Sequence, residues 1–166
     1  MALNDVLDVD MFDDEEEEDT QEGKYLTFVI GKEEYGLEIR YVIEIIGIQN
    51  ITEVPDMPNY IKGVINLRGK VIPVMDVRLR FGALERDYDD RTCIVVINIE
   101  EQPMGLIVDT VSEVLDIPKT NIEPAPDLRK GRGNKFIKGM GKVDDKVIML
   151  LDEKKFLFEY EGEIEK

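Results

Sequence analysis

Tyr60-Ile61-Lys62-Gly63-Val64-Ile65-Asn66-Leu67-Arg68-Gly69-Lys70-Val71-Ile72-Pro73-Val74-Met75-Asp76 is a passage that the chain writes twice. Phe136-Ile137-Lys138-Gly139 matches Tyr60-Ile61-Lys62-Gly63 at an offset of 76. The register then runs on unbroken, with Lys146-Val147-Ile148 matching Lys70-Val71-Ile72 and Asp152 matching Asp76. Upstream, Gly36-Leu37 pairs with Gly105-Leu106 at an offset of 69, Ile39 with Val108, Val42 with Val111, and Glu44-Ile45 with Glu113-Val114. Two blocks in one order with compatible offsets mark an internal repeat. The difference of seven residues is an insertion in the second copy, expected within Pro126–Lys135, which is rich in Gly, Lys and Arg.

Each copy reads as short β-rich runs joined by turns. Tyr25–Ile30 and Tyr35–Ile39 flank Lys32-Glu33-Glu34, and Val64–Leu67 and Val71–Val77 flank Arg68-Gly69-Lys70, so both pairs are hairpins. Pro73 cannot donate to a ladder and predicts an edge position or a bulge. Helical periodicity exceeds about two turns only in Glu153–Tyr160. About five strands per copy suit a small closed barrel, which leaves no exposed edge. So small a barrel has a thin core, and the two copies are expected to pack through an apolar seam. The fold class is therefore mainly β: two tandem five-stranded barrels packed together, with short helical segments and a short C-terminal helix. The divisions are residues 1–22 as a tail, 23–86 as the first barrel and 87–166 as the second with its helix.

Charge sharpens the picture. The net charge is −16, and residues 1–22 hold eleven acids and no Lys or Arg. The seven adjacent acids Asp13–Asp19 repel one another, so the tail is expected to be disordered. Leu3, Val6, Leu7 and Met11 could line one face of a short helix, but a mobile tail with stray apolar residues is the better reading. No dominant basic face exists to displace counterions from phosphates, so nucleic acid is not expected as a partner. The longest apolar runs, such as Ile94–Ile97, fall far short of the ~20 residues that span a bilayer, and the N-terminus carries acids where a signal peptide carries Lys or Arg. A cytoplasmic protein without direct membrane insertion is expected.

Histidine is absent, which removes the usual general base, the commonest zinc ligand and every His-dependent triad. Cys93 is the only cysteine and lies in an apolar run, where a buried, inert thiol is expected. Asp89-Asp90 and Asp144-Asp145 sit in turn-like contexts that favour Asp for backbone bonding. Gly131-Arg132-Gly133 lacks the Lys-Ser/Thr ending of a phosphate loop. No cofactor or metal is expected, and the reading is of a binding module without enzymatic activity.

Binding candidates lie where the copies diverge. Asn66-Leu67-Arg68-Gly69 corresponds to Lys142-Val143-Asp144-Asp145: the hairpins agree and their tips differ. Arg68 offers a planar five-donor fork that suits a partner's carboxylate or carbonyl, or an internal bridge to Asp76 or Glu44. Arg40–Ile46 carries more apolar residues than one face of a short helical turn or strand edge can hide, so some should be exposed or lie in the seam.

Glu34-Tyr35-Gly36-Leu37-Glu38-Ile39, Val42, Glu44-Ile45, Tyr60-Ile61-Lys62-Gly63-Val64-Ile65-Asn66-Leu67-Arg68-Gly69, Pro73-Val74 and Asp76 together resemble the CheW family of chemotaxis coupling proteins. The resemblance covers about residues 23–160. It implies two SH3-like barrels and a non-enzymatic adaptor between transmembrane chemoreceptors and the regulatory domain of the histidine kinase CheA, recruited to membrane-associated receptor arrays. By matched motif it implies a receptor-tip groove between the barrels at Val42, Glu44, Ile45, Asn66 and Arg68. In the family the kinase's regulatory domain binds through barrel faces, for which Ile51 and Val71 are the candidates here. Two alternatives stand beside it. One is a fragment of the kinase's regulatory domain, against which the initial Met and the lack of kinase motifs argue. The other is a small-ligand sensor that uses the inter-barrel seam as a pocket.

The tail is expected to be dispensable for folding. Removing residues 1–22 should leave the melting temperature nearly unchanged at physiological salt in a thermal melt followed by circular dichroism. A drop of many degrees would show that the tail packs on the barrels.

Overall fold

The computed structural model describes residues 21–125 and 135–158. The expected disorder of the tail and the placement of the insertion in Pro126–Lys135 fall almost wholly outside them. The first copy supplies β1 (Lys24–Ile30), β2 (Glu33–Glu38), β3 (Val42–Gly47), β4 (Ile61–Leu67) and β5 (Lys70–Asp76), then a one-turn helix α1 (Val77–Arg80). The second supplies β6 (Cys93–Ile99), β7 (Gln102–Val108), β8 (Thr110–Asp116), a short β9 (Ile122–Pro124), β10 (Ile137–Val143), β11 (Lys146–Leu151) and α2 (Glu153–Phe158). Both expected hairpins form, β1–β2 around Gly31-Lys32 and β4–β5 around Arg68-Gly69.

The strands assort in a way the repeat does not announce. One sheet runs β8-β1-β2-β11-β10-β9 and the other β3-β6-β7-β5-β4. Each SH3-like barrel therefore takes its first hairpin from one copy and its remaining strands from the other. The boundary at residues 86 and 87 separates the sequence copies but not the barrels: β1 and β2 belong with the second copy's β8–β11, and β6 and β7 with the first copy's β3–β5. The exchange is closed by two equivalent parallel pairings, Leu150 with Gly36 on β11 and β2, and Val74 with Gly105 on β5 and β7. The repeated glycine has its reason here. A Cβ at Gly36 would lie 2.8 Å from the Leu150 side chain, and one at Gly105 2.7 Å from Ile94.

Pro73 is accommodated differently from the expectation. β5 lies inside its sheet, between β7 and β4, and is not an edge. Pro73 stands opposite Val64 on β4, while the pairing to β7 begins only at Val74, so no ladder bond on that side depends on the missing N–H. The register shift falls on β4 between Ile61 and Gly63.

The strands at the centre are buried on both faces, which is why they read as continuous apolar runs. On β6, Ile94 and Val96 point into the five-stranded barrel with Ile65, Ile72, Val74 and Ile107. Val95, Ile97 and Ile99 point the other way, into the seam. Tyr25, Ile117, Ile148 and Leu150 fill the six-stranded barrel, whereas Leu26, Phe28 and Ile30 of β1 face the seam. Among the described residues the seam gathers twenty buried apolar side chains against six and four inside the barrels, so it is the principal core.

Repeat-related residues meet across the seam. Arg80 is buried, and its Nε donates to the Phe156 carbonyl at 2.9 Å. Its guanidinium lies 4.5 Å from the ring centres of both Tyr60 and Phe136. Arg80 and Phe156 are equivalent positions in the two copies, as are Tyr60 and Phe136. The carbonyl end of α2 and two aromatic faces thus replace the water this cation gives up. Two further bonds repeat: Asp76 N–H donates to Tyr60 O and Asp152 N–H to Phe136 O, each at 2.7 Å.

Because the seam draws on both halves of the chain, unfolding should be a single transition, with calorimetric and van't Hoff enthalpies equal. Two resolved transitions would show that the barrels are independent. Gly63 has φ +145°, and a Cβ there would meet Thr52 O at 2.1 Å; Gly69 has φ +86° with open space around it. Gly63→Ala should lower stability by about 3 kcal/mol or more. Gly69→Ala should cost only about 1–2 kcal/mol. Urea titration of both variants measures the difference.

Candidate functional site

The tip of the β4–β5 hairpin is built from a left-handed residue. Arg68 has φ +52° and Gly69 +86°, and Asn66 Oδ1 accepts from Gly69 N–H at 3.0 Å, closing the turn. Asp144 adopts φ +53° at the equivalent position of the β10–β11 hairpin. The backbone requirement is therefore common to both copies, and the side chain at the tip is free to differ.

The turn carries Arg68 toward β3, where its Nη1 and Nη2 donate to Glu44 Oε1 and Oε2 at 2.6 and 2.8 Å. Of the two internal partners open from sequence, Glu44 is the one used. Asp76 is buried instead, accepting from the Tyr88 hydroxyl at 2.7 Å and the Leu79 N–H at 3.3 Å. A bidentate pair has defined geometry as well as charge. The hydrogen bond to Glu44 and its negative charge raise the Arg68 pKa. Even so, 71% of the Arg68 side chain remains exposed, so the bridge aims the guanidinium without hiding it.

β3 is an edge strand paired only with β6, and its register slips between Val42 and Glu44. Val42 is buried in the seam core. Ile43, at the slip, is 46% exposed. Ile45 packs half-buried on the seam, and Ile46 half-buried on the core of the five-stranded barrel. The excess of apolar residues in Arg40–Ile46 is thus divided between two cores and one exposed side chain. Ile43 was not singled out from sequence, because a bulge leaves no signal in hydrophobic periodicity.

Ile51 is half-buried against the core of the five-stranded barrel, beside Thr52, which pairs with Val64 of β4. Val71 is 69% exposed. It stands directly opposite Asn66 across the hairpin, so the two share one face of the ladder. Glu44, Asn66, Arg68, Ile43 and Val71 are therefore brought to one end of the five-stranded barrel. Val42 lies beneath it in the seam, and Ile51 sits toward the base of the hairpin beside Gly63.

The segment between α1 and β6 is tied down by polar contacts that sequence reading missed. Asp109, after β7, accepts from Arg78 Nε and Nη2 at 3.0 Å each, from Arg86 Nη1 at 2.8 Å and from Gly31 N–H at 2.8 Å. Burial opposes ionisation of Asp109, but these donors outweigh it and hold its carboxyl below the usual range. Cys93 is half-buried at the start of β6 rather than deep in the core, because the apolar run is entered at its end; its Sγ donates to Arg91 O at 3.3 Å. Burial still raises its pKa, which keeps the thiol protonated and poorly nucleophilic. Among the described residues no helix is long and apolar enough to cross a membrane.

Comparison with known proteins agrees with this architecture. Residues 24–160 match the family model described as CheW-like domain. The chain is 36% identical over 134 residues to chemotaxis protein CheW of Klebsiella aerogenes, covering 81% of each chain. It is 35% identical over 136 residues to chemotaxis protein CheW of Helicobacter pylori, covering 81% of this chain and 82% of that one. The crystal structure of scaffolding protein TtCheW from Thermoanaerobacter tengcongensis superposes with a TM-score of 0.77 at 39% identity, covering 84% of this chain and 94% of that one. On the double barrel, the repeated hairpins and these relatives together, the chain belongs to the CheW family of chemotaxis scaffold proteins.

Proposed function

We propose that the chain is a non-catalytic adaptor that couples chemoreceptors to the histidine kinase CheA. The observation that carries this reading is Arg68, held in a fixed orientation by Glu44 yet largely open to solvent, at the point where the two copies of the repeat part company. A fork fixed before binding loses little rotamer freedom when a partner's carboxylate or carbonyl arrives. In this reading Glu44, Asn66 and Arg68 meet the receptor tip. Asn66 acts through the turn it closes. Val42 and Ile45 support the strand beneath.

Val71 near the tip of the hairpin, and Ile51 toward its base, contact the regulatory domain of the kinase. An exposed valine beside a charged tip is a small apolar anchor for such a contact. Because Asn66 and Val71 share a ladder face, the two footprints adjoin at the hairpin and part on either side of it. The adaptor works at the cytoplasmic side of membrane-associated receptor arrays and needs no cofactor. The seam's centre is packed, and the small-ligand alternative keeps only a cavity of about 420 Å³ at the seam's margin, lined by Ile30, Tyr35, Arg78, Phe81, Ile137 and Met149.

Isolated partners decide the matter. Arg68→Ala should weaken binding of a receptor signalling tip by about 10- to 150-fold and change kinase binding less. Val71→Glu should do the reverse. Calorimetric titration of each variant against each partner, with circular dichroism confirming the fold, measures both. Equal losses for both partners in folded protein would mean that the footprints coincide. Tight binding of both partners by both variants would remove the hairpin from the site.

A further inference from the structure

Repeat-related margins of the seam are filled unequally. Helices α1 and α2 occupy equivalent places in the two copies, and at an offset of 76 Phe81 corresponds to Leu157 and Gly82 to Phe158. α2 runs on through Phe158, whose ring packs half-buried on the seam core. α1 stops at Arg80, and Gly82 follows with φ +83°, the left-handed conformation that commonly ends a helix. The chain then goes on to Tyr88, on the core of the five-stranded barrel. One margin of the seam thus carries a phenyl ring where the other carries a hydrogen atom, and beside Gly82 lies the cavity of about 420 Å³.

This hollow is apolar at its floor and acidic at its mouth. Ile30, Tyr35 and Ile137 form buried walls, and Phe81 stacks on Tyr35 with ring centres 4.9 Å apart. Their twins Ile99, Met104, Ile61 and Leu157 all pack in the seam core together with Phe158. Arg78 also lines the hollow, but each of its nitrogens is engaged, Nε and Nη2 by Asp109 and Nη1 by the Leu84 carbonyl at 3.3 Å. Arg78 and Arg86 are matched in charge by Asp109 and Asp89. Glu33 is not matched. It is exposed, its carboxylate accepts from the Tyr35 hydroxyl, and no Lys or Arg among the described residues pairs with it. Its twin is Gln102, so this charge is particular to the open margin. Water in such a hollow finds few hydrogen-bond partners, and the single unmatched carboxylate favours a cation.

The geometry points to a binding site for a small aryl-alkyl amine. The ring enters the hollow between Ile30, Ile137 and Met149, and the ammonium group donates to the Glu33 carboxylate at its mouth. An apolar cavity of roughly 150 Å³ holds benzene, so this one admits a ring and a short arm. The site is built on β2, β10, β11 and the end of α1. It adds to the adaptor reading without resting on it, because the partners proposed there meet β3 and the β4–β5 hairpin.

Titration of the intact, methyl-labelled protein with 2-phenylethylamine tests this. Methyl resonances of Ile30, Ile137 and Met149 should shift together and saturate at millimolar amine, the range expected of so small a ligand. Nuclear Overhauser contacts should join those methyls to the ring. 3-Phenylpropanoate, similar in shape and opposite in charge, should bind at least about 5-fold more weakly, and Glu33→Gln should weaken the amine about 2- to 5-fold. Ala83→Phe places a ring across the mouth from an exposed position and should abolish saturation, with the melt confirming the fold. Equal affinity for amine and acid, or shifts that never saturate in the unmodified protein, would overturn the proposal. Unchanged amine binding by folded Ala83→Phe would do the same. So would ring contacts confined to Val54, Met57 or Val147, apolar side chains exposed elsewhere.

Discussion

Burial of the central strands on both faces is the constraint from which the rest follows. A five-stranded barrel of this size closes around six or so apolar side chains, and a cluster that small holds little. Once a second barrel is pressed against the outer face of β1, β2, β5, β6 and β7, every second residue of those strands gains a second core. Each fully buried aliphatic or aromatic side chain contributes about 1.5–3 kcal/mol, so twenty of them in the seam outweigh either interior. The exchanged hairpins, the glycines at the parallel junctions and the buried Arg80 are all conditions of keeping that seam closed.

Much of this was legible in the sequence. The repeat gave the hairpins, the two barrels and the need for a seam, because each rests on local turn chemistry or on alternation that survives any arrangement of the copies. The assortment of strands was not legible. A hairpin β1–β2 returned to its own copy and one lent to the other have the same sequence, the same offset and the same apolar pattern. Pro73 misled for a related reason. A proline excludes one hydrogen bond, and whether the strand is an edge depends on where its neighbour starts, which here is one residue later.

For the candidate site, residue chemistry pointed to the right hairpin but not to its geometry. Arg68 and Glu44 are separated by a loop of unpredictable path, so sequence alone left Asp76 and Glu44 equal as partners. The structure separates them by burial: Asp76 is consumed in capping α1 and in holding Tyr88, and Glu44 alone stands at the surface within reach. Ile43 and the adjacency of Asn66 and Val71 depend on register, which is a property of two strands at once. The Asp109 cluster escaped notice because its four donors come from three separate segments.

The exchange of hairpins also sets an order of assembly. The five-stranded barrel possesses all its strands once Val108 has been made. The hairpin β1–β2, made first, finds β8 only after Asp116 and its parallel partner β11 only after Leu151. Long sequence separation slows pairing, and a waiting hairpin keeps Leu26, Phe28, Tyr35 and Leu37 in water throughout synthesis. On the ribosome, then, the strands of the five-stranded barrel are complete before β1 and β2 meet their partners, and the first strands made are among the last to be paired.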